Sequence, residues 1–245
     1  MTTDTPPPRR NWHLTRWLIV FIVAMFGWGG WRAYAFRSAL AEAKALGWEL
    51  LYTDPVEAIQ GDWKAAFQKE TWLDGVIQVI IPTSESFEPH VAIVHRLNPK
   101  ILNIEEAGTL RDLSALSPLT RLEVVSLISS TALENIDALK SLSAMNEVHL
   151  DGCTRLSNVD TLKNLPALQV VRLIDCTGLT NVDALKNLSA LQEVGLYGCT
   201  GLTNVDVLKN LSALQRVWLT GCTGLTKESV AALKAALPNA QIIGP

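Results

Sequence analysis

The chain has 245 residues, 48% of them hydrophobic and 18% charged, with a formal net charge of −3 and a pI near 5.8. This length allows one or two domains, and the slight negative charge gives no electrostatic case for nucleic acid, which calls for a basic face. Seven of the eight tryptophans precede residue 73, so composition changes near residue 75 and the front of the chain needs its own reading.

Residues 1–13 are polar, with three consecutive prolines at 6–8, and are expected to form a disordered tail. Trp17 to Trp31 then run fifteen residues without a charge, between Arg16 and Arg32. A spanning helix wants about 20 apolar residues, with roughly 17 as the lower limit. The run reaches that limit over 14–35 if the flanking arginines snorkel outward, and tryptophans at both ends fit an interfacial belt. The expectation is a single-pass anchor in the cell membrane.

Two other readings stand beside it. Ala33-Tyr34-Ala35 loosely matches a signal-peptide cleavage site, although Arg32 and Arg37 beside it are poor for cleavage. A soluble helix packed against a core would be apolar along one stripe and not on every side in this way. Basic residues are balanced across the run, Arg9, Arg10 and Arg16 against Arg32, Arg37 and Lys44. The short N-terminal tail then favours an extracytoplasmic large domain.

Residues 36–75 read as helical and soluble. Ala39, Leu40, Ala43 and Leu46 make one apolar stripe that ends near Gly47, and Asp54-Pro55 opens a second helix carrying Val56, Ile59, Trp63, Ala66 and Phe67 at helical spacing. These helices are expected to cover the open end of whatever follows.

From residue 76 onward the chain repeats itself. Cys153, Cys176, Cys199 and Cys222 lie 23 residues apart, and Leu110, Leu133, Leu156, Leu179, Leu202 and Leu225 keep the same period. One unit runs Leu168-Gln-Val-Val171-Arg-Leu173-Ile-Asp-Cys176-Thr-Gly-Leu179, the pattern L-x-x-L-x-L-x-x-N/C-x-L. In this it resembles the leucine-rich repeat family, in a short, cysteine-bearing, bacterial-looking form. The resemblance implies an α/β solenoid over 76–245, with a parallel sheet on the concave face and short helical turns on the convex face.

The register can be stepped through seven strands. Val79, Leu102, Val125, Val148, Val171, Val194 and Val217 form one inward column, and Ile81, Ile104, Leu127, Leu150, Leu173, Leu196 and Leu219 form the next. The first repeat is degenerate, its loop replaced by Pro82 and a helix-like stretch at 86–97. Asp137, Asp160, Asp183 and Asp206 are placed to cap a short helical turn. The leucines that follow bury the outer side, leaving Lys140, Lys163, Lys186 and Lys209 as a solvated stripe. Leu225 to Leu237 reads as a capping helix within a C-terminal cap at about 226–245, with a last strand at Ala240–Ile243.

Four cysteines in one column invite zinc or disulfide readings, but a column spaced about 4.8 Å per strand is a line and not a tetrahedron. That spacing is also wide for a bridge. A structural ladder of Cys153, Cys176, Cys199 and Cys222 is expected, without metal. On the outward face, Glu147, His149 and Asp151 alternate along one strand, an arrangement open to metal binding or general-base chemistry. They are about 7 Å apart along an exposed strand, and no nucleophile or known cofactor motif accompanies them. No catalysis and no cofactor are expected.

The outward columns vary where the inward ones repeat. They read Val124, Glu147, Val170, Glu193, Arg216; then Ser126, His149, Arg172, Gly195, Trp218; then Ile128, Asp151, Ile174, Tyr197, Thr220. Relaxed constraint would give the same divergence as tuning for a ligand. The candidate binding residues are Glu147, His149, Asp151, Arg172, Ile174, Glu193, Tyr197, Arg216 and Trp218, the last two and Tyr197 being types enriched at binding hot spots. The expected function is a membrane-anchored, non-enzymatic protein that binds a protein partner through this face. The alternative is a structural or spacer protein of the cell envelope.

Overall fold

The structure, a computed structural model, describes residues 31, 34–52, 76–82, 90–105 and 108–244. The expected tail, nearly all of the apolar run at 14–35 and the helix expected from Asp54 lie outside the described residues. Among the described residues, no helix is long and apolar enough to cross a membrane.

Successive coils stack because each carries the same alternation. Strands β2 (Val76–Pro82), β3 (Ile101–Glu105), β4 (Val124–Ile128), β5 (Glu147–His149), β6 (Val170–Arg172), β7 (Glu193–Gly195), β8 (Arg216–Trp218) and β9 (Gln241–Ile243) pair in parallel and in chain order. Val79, Leu102, Val125, Val148, Val171, Val194, Val217 and Ile242 are successive partners. The first seven of that column, from Val79 to Val217, have no solvent exposure. Period-2 alternation sends this column and the next inward and leaves the intervening residues on the outer face.

The return turns have a period of their own. Val182, Leu185, Leu188 and Leu191 are spaced strictly by three and all buried. Each of the last three amides donates to the carbonyl three residues earlier at 3.0 Å. A 3₁₀ helix has three residues per turn, so i and i+3 eclipse; an apolar residue at every third position therefore winds this chain tighter than an α-helix. Asp137–Ser141, Asp160–Asn164, Asp183–Asn187 and Asp206–Asn210 are such turns.

The aspartates do not cap them. Asn135, Asn158, Asn181 and Asn204 do, each side-chain oxygen accepting from the amide of the aspartate two residues on at 2.6–3.2 Å. This is an Asx turn, in which a short side chain closes the ring that a backbone carbonyl would otherwise close.

The cysteines tie coil to coil. Sγ of Cys176, Cys199 and Cys222 donates to the carbonyl of Leu150, Leu173 and Leu196 at 3.0, 2.8 and 2.8 Å, and Cys153 reaches Leu127 at 3.9 Å. All four are free and fully buried. Burial pushes the Cys153 and Cys199 thiols up to about 12 and raises Cys176 and Cys222 in the same direction, because a thiolate there would lose its hydration. They are inert packing groups with a weak donor.

One backbone position per coil is left-handed: Ser129, Gly152, Asp175, Gly198, Gly221 and Gly244 have φ between 56° and 94°. At Gly198 the need is twofold, since a Cβ there would also lie 1.9 Å from Asp175 Oδ1.

The two ends close differently. At the C-terminus, Thr226 Oγ1 accepts from the Ser229 amide at 3.1 Å and starts a helix over Lys227–Ala236, which buries Val230 and Leu233. At the N-terminus, residues 34–45 are helical and bury Phe36, Ala39 and Ala43, while Leu46 is exposed. After Gly47 the chain forms β1 (Glu49–Tyr52), antiparallel to β2, a strand the helical reading of 36–75 did not include. Arg96, on the helix Val91–Leu97, bonds Glu42 and Ser38 and thereby fastens the two N-terminal helices together. Its guanidinium, with help from Ser38, holds the Glu42 carboxyl below the usual range.

Candidate functional site

The outer face of the sheet is set by register. Gly195 stands between Arg172 on β6 and Trp218 on β8, so the middle column loses a side chain between two large ones. A hollow of about 310 Å³ results, lined by Arg172, Ile174, Glu193, Gly195, Tyr197 and Trp218. Small-molecule pockets run from about 300 to 1,000 Å³, so this one has room for one or two protein side chains. A Cβ on Gly195 would meet only Arg172, its nearest atom Cγ at an ordinary 3.5 Å.

Five of the nine predicted binding residues therefore meet at one place: Arg172, Ile174, Glu193, Tyr197 and Trp218. Arg216 borders them, bonded to Glu193 with its guanidinium carbon 5.9 Å from the Trp218 ring centroid. Tyr197 is the exposed aromatic, at 47%, whereas Trp218 is only partly exposed. Trp218 is thus a wall of the hollow more than a projecting knob.

Glu147, His149 and Asp151 lie towards the N-terminal side of the hollow and do not converge. Asp151 turns to the next strand, where its carboxylate sits 3.4 Å from Arg172 Nη2 and accepts from the Ile174 amide at 3.2 Å. His149 Nε2 is 3.4 Å from Glu147 Oε2, within ion-pair reach but not aligned for a hydrogen bond. Burial and the Arg172 charge hold the imidazole below its ordinary pKa. Among the described residues, no group of three or more histidine, cysteine or acidic side chains is arranged to hold a metal ion.

Gly195 is the site residue the sequence reading passed over. It appeared there as one value in a varying column, and its neighbours in that column were its only signal.

A second depression of about 360 Å³ lies on the turns between Asp112 and Lys140. Its acids serve the fold: Asp112 Oδ1 accepts from the Ser114 amide at 2.8 Å, and Asp137 Oδ1 accepts from the Thr161 hydroxyl at 2.7 Å.

No protein-family model matches the chain, and no curated protein does. Among solved structures, internalin C2 from Listeria monocytogenes is 22% identical and aligns over 78% of this chain and 83% of its own, with a TM-score of 0.52. Internalin F from the same organism is 16% identical over 78% of this chain and 68% of its own, at a TM-score of 0.44. The leucine-rich repeat domain of the type III effector XopL is 15% identical over 100% and 98%, at 0.42. The likeness to internalin C2 agrees with the coil geometry above: the fold is a leucine-rich repeat solenoid, with a parallel sheet and short helical turns.

Proposed function

We propose that this chain is a membrane-anchored, non-enzymatic protein whose solenoid binds a protein partner through the outer face of its sheet, chiefly between β6 and β8. The observation that carries this reading is the hollow over Gly195, where the columns that differ from strand to strand bring aromatic, aliphatic and charged groups to one spot. A solenoid offers an extended, rigid platform, and Tyr197 and Trp218 lose little side-chain entropy when covered. Glu147, His149 and Asp151 belong to the margin of that surface and not to a catalytic group. Anchoring would come from residues 14–35, with the solenoid outside the cytoplasm. Trp31 and Tyr34, 66% and 73% exposed at the C-terminal end of that run, are the residue types favoured at a membrane interface.

The test is photocrosslinking in membranes from full-length chains carrying the crosslinker at position 197 or at position 186. Capture of one defined protein from 197 and not from 186 is expected. Capture from 186 alone would place the binding surface on the turns. Carbonate extraction checks the anchor: the full chain should stay with the membrane, and recovery in the soluble fraction would refute it.

A second reading, a spacer without a ligand, draws on the internal pairing of Asp151 with Arg172 and Glu193 with Arg216. It predicts no defined capture from either position.

A further inference from the structure

The hollow over Gly195 presents its charges unequally. The acids lie low: the side chains of Asp151 and Glu193 are 19% and 22% exposed. The arginines that pair with them stand up, with Arg172 at 45% and Arg216 at 49%. Each guanidinium reaches its acid through Nη2, while a guanidinium carries five N–H donors and no acceptor. What an approaching molecule meets is therefore two half-exposed donor forks. They stand on β6 and β8, two strands apart, which is roughly 10 Å. Between them lies the floor at Gly195, with Ile174, Tyr197, Trp218 and the Glu193 carboxylate around it, the last already paired with Arg216, which stands at the rim.

A basic side chain is disfavoured here for two reasons. The face of the Trp218 ring, where a cation would be attracted, already has the Arg216 guanidinium over it. The carboxylates nearest the floor, Asp151 and Glu193, are the covered members of their pairs, and the more exposed Glu147 stands away from it on β5, beside His149. Carboxylates arriving from outside find the opposite situation, because charge-assisted bonds to a guanidinium fork are among the stronger polar contacts.

We infer that the hollow takes an acidic segment of a protein partner, with one apolar side chain seated over Gly195 and carboxylates on both sides of it, one towards Arg172 and one towards Arg216. The inference rests on the reading of the outer face as a binding surface and adds the chemistry of what binds. Gly195 sets specificity by leaving the space that the apolar side chain enters. The two arginines speed and orient encounter more than they add affinity, so binding weakens as salt rises.

The test uses the full-length chain in detergent and fluorescence anisotropy of labelled short peptides. One has a central leucine flanked by glutamates, a second has lysines in place of the glutamates, and a third has alanine in place of the leucine. A labelled oligothymidylate of the same charge serves as a phosphate ligand. The acidic leucine peptide is expected to bind at least about tenfold tighter than each of the others, a difference well within reach of direct titration. Gly195→Val, which fills the hollow, and Arg216→Gln should each weaken it about tenfold, while Lys186→Gln should leave it unchanged. The thermal midpoint of Gly195→Val should not fall below that of the parent, so lost binding cannot be put down to lost folding.

Equal or tighter binding of the lysine peptide or the oligothymidylate, full binding by Gly195→Val, or no binding by any peptide would each overturn the inference. Crosslinking separates this failure from that of the broader reading. Defined capture from position 197 with no peptide binding removes only the acidic occupant. Capture from 186 alone removes the outer face as the site.

Discussion

The inward and outward sides of the same strands obey different rules. Inward, Val125, Val148, Val171, Val194 and Val217 repeat without change, because each must fill the same space against the coil before and the coil after. Outward, the partners in register are Ser126, His149, Arg172, Gly195 and Trp218, five residues with nothing in common. Nothing in the stacking of coils dictates those side chains. The comparison separates what the fold demands from what it leaves free, and the hollow over Gly195 exists only because the free column holds a glycine between two large neighbours.

Truncation on the inward side should do the most damage. Leu173→Ala, at a position with no solvent exposure, is expected to cost about 2–5 kcal/mol of stability, measured by urea unfolding. Tyr197→Ala, one residue beyond Leu196, the equivalent of Leu173 in the next coil, and therefore facing out, should stay within about 0.5 kcal/mol of the parent. Equal losses at the two would erase the distinction between the faces.

The cysteine column sharpens it further. Cys176→Ala removes a buried group and a 3.0 Å donor to Leu150, and should cost about 1–2 kcal/mol. The column also predicts an alkaline weakness. In the folded chain the Cys153 and Cys199 thiols hold their protons to about 12, while an unfolded thiol releases its proton near the ordinary value of 9.0. Between these values the unfolded state binds fewer protons, so stability falls as pH rises. Thermal midpoints recorded from pH 8 upward should decline, and Cys199→Ala should flatten the decline. A midpoint that ignores pH through this window would contradict the buried, protonated ladder.

Effects of similar size come from the turn that links the two sides. Gly198→Ala forces a side chain into left-handed backbone and against Asp175 Oδ1, and should cost roughly 1–2 kcal/mol. Combining it with Asp175→Gly should recover part of that loss, because the carboxylate contact disappears. The smallest effect belongs to Lys186→Ala on the exposed stripe, expected within about 0.5 kcal/mol in unfolding measurements.

Much of this was legible in the sequence, for reasons that differ residue by residue. The valine and leucine columns could be stepped from repeat to repeat because period-2 alternation survives in every coil. The Val230, Leu233 and Leu237 face of the last helix was legible because its spacing is helical over about two turns. The return turns show in the sequence only as short helices. Their 3₁₀ character sits in a strict spacing of three from Val182 to Leu191, which a search for helical periodicity blurs with 3.6.

Adjacency to the turn points to the aspartates as caps, whereas Asn135, Asn158, Asn181 and Asn204 act from two residues before it. Strand β1 was not legible. Four residues, Glu49–Tyr52, carry no pattern of their own, and their conformation comes from pairing with the edge of β2. Gly195 was the hardest to see, because a missing side chain says nothing until register supplies its neighbours.

Binding at the outer face between β6 and β8 is tested most directly by one paired measurement. With the protein captured by crosslinking from position 197, its affinity is measured for the full-length chain, for Trp218→Ala and for Lys186→Ala. Loss of at least about 2 kcal/mol at Trp218, roughly 30-fold in Kd, with no more than a twofold change at Lys186, about the noise of a neutral surface site, is the predicted result. Intact affinity at Trp218→Ala together with its loss at Lys186→Ala would contradict it.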